Sequence, residues 1–151
     1  MSIAKLNWRA LTGMTAPQVI VEVHVASGLP SFSIVGLPDT EIKESRDRVR
    51  SAIQNSGFDF PARRITVNLA PADLPKDSSR YDLPIALGIL IAAGLVKPQQ
   101  TLDNLEFAGE LALTGELRPV RGALAMTGKA SLDGRAFIMP RNSANEAALV
   151  Q

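Results

Sequence analysis

The sequence predicts an α/β fold, one mixed sheet with helices packed on it, and three observations carry that expectation. Two stretches alternate with a period of two. In one, Val19, Val21, Val23 and Val25 oppose Ile20, Glu22, His24 and Ala26; in the other, Ile65, Val67 and Leu69 oppose Arg64, Thr66 and Asn68. Between them an apolar stripe at helical spacing, Ile42, Val49, Ala52 and Ile53, runs from an opening at Pro38-Asp39 to a stop at Gly57. Finally, Leu83–Val96 contains no charged side chain yet is shorter than the roughly 20 residues a membrane span needs, which predicts a helix buried on all sides. Strands and helices interspersed in this way fit a sheet with helices packed on it.

Taken in order, residues 3–12 read as a short strand ending near Gly13, and Pro17–Ser27 as the strand that carries the valines. His24, the only histidine, falls on the face opposite the valines, beside Glu22. With no nucleophile near it in sequence, it reads as a partly exposed sheet residue rather than a catalytic base. Gly28 and Pro30 mark a turn into a strand at Ser31–Leu37, and the helix from Pro38 to about Ser56 follows. On that helix Glu44 and Arg48, and Lys43 and Asp47, stand at pairing distance i,i+4. Arg46 and Arg50 share a face that reads as solvated, with a phosphate-binding face as the alternative.

After the strand Arg63–Ala70 comes the stretch Pro71–Gly94. A polar loop carrying Lys76, Asp77, Ser78, Ser79 and Arg80 leads into the uncharged helix. Asp82 is the expected N-cap, Pro84 fits the first turn, and Lys97-Pro98 is the expected end. Leu105–Leu113 reads as a single strand with Leu105, Phe107, Leu111 and Leu113 turned inward, and Thr114-Gly115 as a hairpin turn into Glu116–Val120. A helix from Gly122 to Leu132, a strand at Ala136–Met139 and a helix from near Asn142 complete a single domain spanning 1–151. The chain stops within the apolar helical pattern Ala147, Ala148, Leu149, Val150, so the expectation is a domain of a longer protein.

Composition narrows the function classes. The chain has no cysteine, which removes disulfides, zinc–thiolate sites and thiol catalysis. Net charge is +1, far from the basic signature of a dedicated nucleic-acid binder, although Arg118–Arg141 holds five basic residues against Asp133 alone. The N-terminus has Lys5, Trp8 and Arg9 but no apolar signal-peptide core, so the expected location is cytoplasmic.

Two motifs invite enzymatic readings. Gly122–Ser131, GALAMTGKAS, approaches a phosphate-binding P-loop but has five residues between its glycines and Ala130 in place of the magnesium-binding hydroxyl. Ser78 and Ser79 at the mouth of the buried helix, with Lys76 nearby and Lys129 downstream, suggest a serine–lysine hydrolase, because a desolvated lysine can activate a serine. Lys76, however, sits in a polar loop where it stays solvated and protonated.

The blocks VEVHVASGLPSFSIVGLPD, KESRDRVRSAIQNSGFDFP and VNLAPADLPKDSSRYDLPIALGIL resemble the N-terminal domain of the ComM/YifB family, magnesium-chelatase-like AAA+ proteins of bacteria, over essentially the whole chain. The resemblance implies a Lon-protease-like domain ahead of an AAA+ ATPase module beyond Gln151, which would bring ATP and Mg. It also implies a hexameric DNA branch-migration helicase linked to natural transformation. Lon-type proteases place a serine just before the buried helix and a lysine after a P-[VI]-G-G element. Here Arg80–Asp82 stand where the serine should be, and Leu124, after Pro119-Val120-Arg121-Gly122, stands where the lysine should be. The family commonly has glycines where Ser78 and Ser79 stand, so a phosphate-cradling role for this loop does not carry over.

The expected function is therefore non-catalytic, with no cofactor in this segment: an accessory domain that supports ring assembly or DNA engagement. Its partners would be its own AAA+ module, neighbouring subunits of a homo-hexamer and DNA, with no membrane. Arg63, Arg64, Lys76 and Arg80, which flank one loop, are the candidate contacts to DNA backbone or a neighbouring subunit. A Lon-type hydrolase using Ser78 or Ser79, and a module recruiting recombination factors, are the alternatives.

Overall fold

The computed structural model describes residues 2–10, 17–71, 80–98, 102–118 and 136–138. Strands β1 (Ser2–Arg9) and β2 (Gln18–Ala26) form an antiparallel hairpin at the centre of a six-stranded sheet. β3 (Ser31–Val35), helix α1 (Asp39–Asn55) and β4 (Arg64–Ala70) make a βαβ unit whose two strands run parallel, and β4 joins β2 antiparallel. Beyond β1 the sheet continues through β5 (Leu105–Phe107) and β8 (Ala136–Ile138), both parallel to their neighbours, to give the order β3-β4-β2-β1-β5-β8. A separate two-stranded ribbon pairs β6 (Glu110–Leu111) with β7 (Leu117–Arg118). The expected mixed α/β architecture is observed.

The alternation in β2 and β4 has the anticipated consequence. Val19, Val21, Val23, Val25, Ile65, Val67 and Leu69 all lie in the core, while Glu22, His24, Thr66 and Asn68 take the other face with intermediate burial. On the core side sits helix α2 (Asp82–Ala92), packed against β1, β2 and α1. Its buried residues run all round it, as the absence of charge predicted. Gly88 is the point of closest approach to the sheet. A Cβ there would come 2.5 Å from Val23 Cγ2 and 3.1 Å from Leu6 Cδ1, so only glycine lets the helix sit this deep.

Both helices end by one device. Gly57, at φ +93°, donates to Gln54 O while Phe58 N–H reaches back to Ile53 O; Gly94, at φ +79°, donates to Ile91 O while Leu95 N–H reaches Leu90 O. These are Schellman closures, which need a residue at positive φ just past the helix. The second corrects the sequence expectation for α2. The chain leaves the helix at Ala92, before Lys97-Pro98, because Gly94 takes the left-handed conformation first.

Three further expectations change. The first strand ends at Arg9 rather than near residue 12. Leu105–Leu113 is two short strands in two sheets, and Leu113, expected inside, is 55% exposed. The break falls at Ala108-Gly109, where Gly109 N–H donates to Arg80 O and Gly109 O accepts from Leu83 N–H, diverting the backbone from the sheet to the start of α2. Asp82 is not the N-cap: Tyr81 occupies that position, and Asp82 is the first helical residue. The helices expected at 122–132 and from Asn142 lie outside the described residues.

Candidate functional site

The start of α2 is where the sequence concentrated its chemical candidates, and the structure fills it with buried polar groups. Arg80 is 4% exposed, and Tyr81 and Asp82 are fully enclosed. Asp82 does not cap its own helix because its carboxylate turns outward to two other elements. Oδ1 accepts from Ser45 Oγ at 2.9 Å and Arg48 Nη2 at 3.2 Å; Oδ2 accepts from Arg48 Nε at 2.6 Å and Leu111 N–H at 3.2 Å. One side chain thus ties α2 to α1 and to β6, with the bidentate guanidinium geometry that makes such bonds strong. The orphan N–H of Leu83 is satisfied by Gly109 O. Tyr81 completes the plug by packing edge-on against Trp8, with ring centroids 5.6 Å apart.

Charge in this cluster is balanced. Burial pushes the Asp82 carboxyl above its ordinary value, against the pull of Arg48, the Leu111 N–H and Ser45. Burial alone would lower the Arg48 guanidinium, yet its hydrogen bond and charge attraction to Asp82 leave it above its ordinary value. Both groups are raised, but burial prevails at Asp82 and pairing prevails at Arg48 because the enclosure is unequal: Asp82 has no exposed side-chain surface, whereas Arg48 keeps 18%. A second buried pair, Arg9 with Glu106, is also bidentate at 2.7 Å for each bond and joins β1 to β5.

The four predicted contact residues do not form one surface among the described residues. Arg80 is the clear correction: enclosed at the plug, it presents no guanidinium for a DNA backbone or a neighbouring subunit. Arg63 and Arg64, adjacent in sequence, diverge. Arg64 is exposed and lies over the Gly28 turn, its Nη2 3.5 Å from where a Cβ of Gly28 would stand. Arg63, also exposed, lines a pocket beside α1. Lys76, Ser78 and Ser79 lie outside the described residues, as do Leu124 and the P-loop-like run Gly122–Ser131. Among the described residues no group of three or more His, Cys, Asp or Glu is placed to hold a metal ion, and no helix is long and apolar enough to cross a membrane.

Sequence reasoning missed Asp82, Ser45 and Arg48 as a unit. Glu44–Arg48 was the expected pair; it exists at 3.8 Å, but the shorter and more buried partner of Arg48 is Asp82. A signal was present. Ser45 lies on the apolar stripe of α1 between Ile42 and Val49, and a polar residue on a core-facing stripe needs a buried partner.

A mixed sheet with a buried helix packed against it is the α/β architecture that the Lon-like and magnesium-chelatase-like resemblance implied. The sequence profile of the family described as "Subunit ChlI of Mg-chelatase" matches residues 21–143, and the chain belongs to that family. Among curated proteins, YifB of Escherichia coli is 50% identical over 150 residues and competence protein ComM of Haemophilus influenzae 51% identical over 150; each match covers 99% of this chain. A Lon protease of Treponema pallidum is 28% identical over 141 residues, covering 87% of this chain and 16% of that protein. The chain spans 29% of the length of the YifB and ComM relatives.

Proposed function

We propose that this chain is a non-catalytic accessory domain of a ComM/YifB-like AAA+ protein, supporting ring assembly or DNA engagement rather than performing chemistry itself. The observation that carries the reading is the closure of the α2 start. The Lon resemblance puts a nucleophile at Arg80–Asp82; in its place stand an enclosed arginine, an enclosed tyrosine and a carboxylate committed to four hydrogen bonds. A nucleophile must reach its substrate; groups so enclosed have no such access, and the Asp82 carboxylate is already taken up by its four donors. The ATP- and Mg-dependent work, a hexameric ring and DNA strand movement would belong to the remaining length that the relatives have. DNA affinity of this chain alone would be weak, given its net charge of +1, and would strengthen when several copies act together.

The test is labelling with a fluorophosphonate probe, which reacts with activated serines. The expected result is no labelling above that of the heat-denatured chain. Stoichiometric labelling, abolished in Ser78→Ala or Ser79→Ala, would establish the hydrolase instead.

A further inference from the structure

A second cluster of cationic side chains lies away from α2, in a pocket of about 250 Å³ between the C-terminal half of α1, the start of β3 and the turn before β4. Arg50 and Gln54, one helical turn apart on α1, face Ser31, Phe60 and Arg63 across it. No acidic residue lines it. Neither Arg50 nor Arg63 has a carboxylate within ion-pair distance among the described residues, in contrast to Arg9 and Arg48.

The arginine on α1 is held in place. Its guanidinium lies over the Phe60 ring, 4.6 Å from the centroid, and Phe60 is braced from within by the buried Phe32, with centroids 5.4 Å apart. Stacking on an aromatic face fixes the plane of a guanidinium while leaving its N–H donors available. A neighbouring arginine on α1, Arg46, is occupied by Phe32 O at 3.1 Å, so Arg50 is the one directed to the pocket.

We propose that this pocket binds a phosphate group. Two guanidiniums, an amide and a hydroxyl supply donors from more than one direction. That suits a tetrahedral oxyanion with several acceptor oxygens better than a planar carboxylate, which one bidentate arginine satisfies. The volume is below the roughly 300–1,000 Å³ of sites for drug-sized ligands, so the pocket accommodates a single group, either free phosphate or one phosphodiester of a strand running past. The pocket gives the DNA-engagement part of the proposed function a location, and it rests on that reading only for the source of the phosphate.

The experiment is a heteronuclear NMR titration of the 151-residue chain with inorganic phosphate, with acetate, and with a short single-stranded oligonucleotide. Saturable shifts at Ser31, Arg50, Gln54 and Arg63 are expected with phosphate and not with acetate. Each of Arg50→Gln and Arg63→Ala should weaken binding about tenfold, the loss of one charge-assisted bond, whereas Lys43→Ala, elsewhere on α1, should not. Arg63 is exposed, so its variant keeps the test valid even if Arg50→Gln unfolds. Tighter binding of the oligonucleotide at the same residues would assign the phosphate to nucleic acid; saturation by phosphate with no oligonucleotide shifts would assign it to a free anion. Equal response to acetate, no saturation, or unchanged affinity in Arg63→Ala would overturn the site. If DNA binds but shifts other residues, the pocket fails while the accessory-domain reading stands.

Discussion

The plug at the start of α2 and the pocket beside α1 are built from similar side chains put to opposite uses. At the plug, Arg48 and Asp82 are buried against each other, with Ser45 and a backbone N–H completing the carboxylate's set of donors. At the pocket, Arg50 stacks on an aromatic ring and Arg63 stands exposed, with no acid lining the space between them. Arg48 and Arg50 are two residues apart on one helix, so the rotation of α1 decides which arginine serves the fold and which is left for a ligand. The lesson is that a charged residue near a conspicuous motif is weak evidence of a site until its partners are known. The arginine nearest the expected nucleophile, Arg80, proved to be enclosed.

The comparison breaks most readily at Asp82. Asp82→Ala leaves Arg48 without its buried partner and Ser45 and the Leu111 N–H without an acceptor, an expected loss of about 3–5 kcal/mol in urea unfolding. A loss under about 1 kcal/mol would mean that the plug does not hold α1, α2 and β6 together. Gly88→Ala tests the apolar side of the same helix. The added methyl meets Val23 and Leu6, and the expected cost is about 1–3 kcal/mol, partly recovered by pairing it with Val23→Ala. Additive effects of the two substitutions would show that the helix is not seated this closely.

A smaller effect concerns pH. A carboxyl raised by burial binds its proton more tightly in the folded chain than in the unfolded one. Asp82's contribution is therefore full below the ordinary value of 3.8 and declines as pH rises through the folded value. Asp82→Asn has nothing to titrate there, so the stability of the wild type minus that of Asp82→Asn should fall as pH rises across that window. A difference that grows with pH would place the folded value below the ordinary one and make Arg48, not burial, the dominant influence.

Much of the fold was legible because it rests on local periodicity. The valines of β2, the alternation of β4 and the uncharged run of α2 each stated which face is buried. The split of β5 from β6 was not legible, since it depends on Gly109 bonding to Arg80 and Leu83, residues 29 and 26 positions away in sequence. The site was harder still. Arg63 was identified, but Arg50 was read first as part of a solvated face, with a phosphate-binding face only as the alternative, because nothing local shows that Phe60 will lie beneath it. Asp82 looked like a helix cap because its donors, Ser45, Arg48 and Leu111, come from distant parts of the chain.

The most direct test of the division between plug and pocket is the melting temperature of three chains, wild type, Asp82→Ala and Arg50→Gln/Arg63→Ala, each with and without saturating phosphate. Asp82→Ala should melt on the order of 10 °C lower yet keep its phosphate-induced rise. The double arginine variant should melt close to wild type, because exposed positions usually cost under about 0.5 kcal/mol and only the Arg50–Phe60 contact is lost, and should show no rise with phosphate. If Asp82→Ala loses the phosphate response at a temperature where it is still folded, or if the double variant retains the response, the assignment of one cluster to the fold and the other to a ligand is wrong.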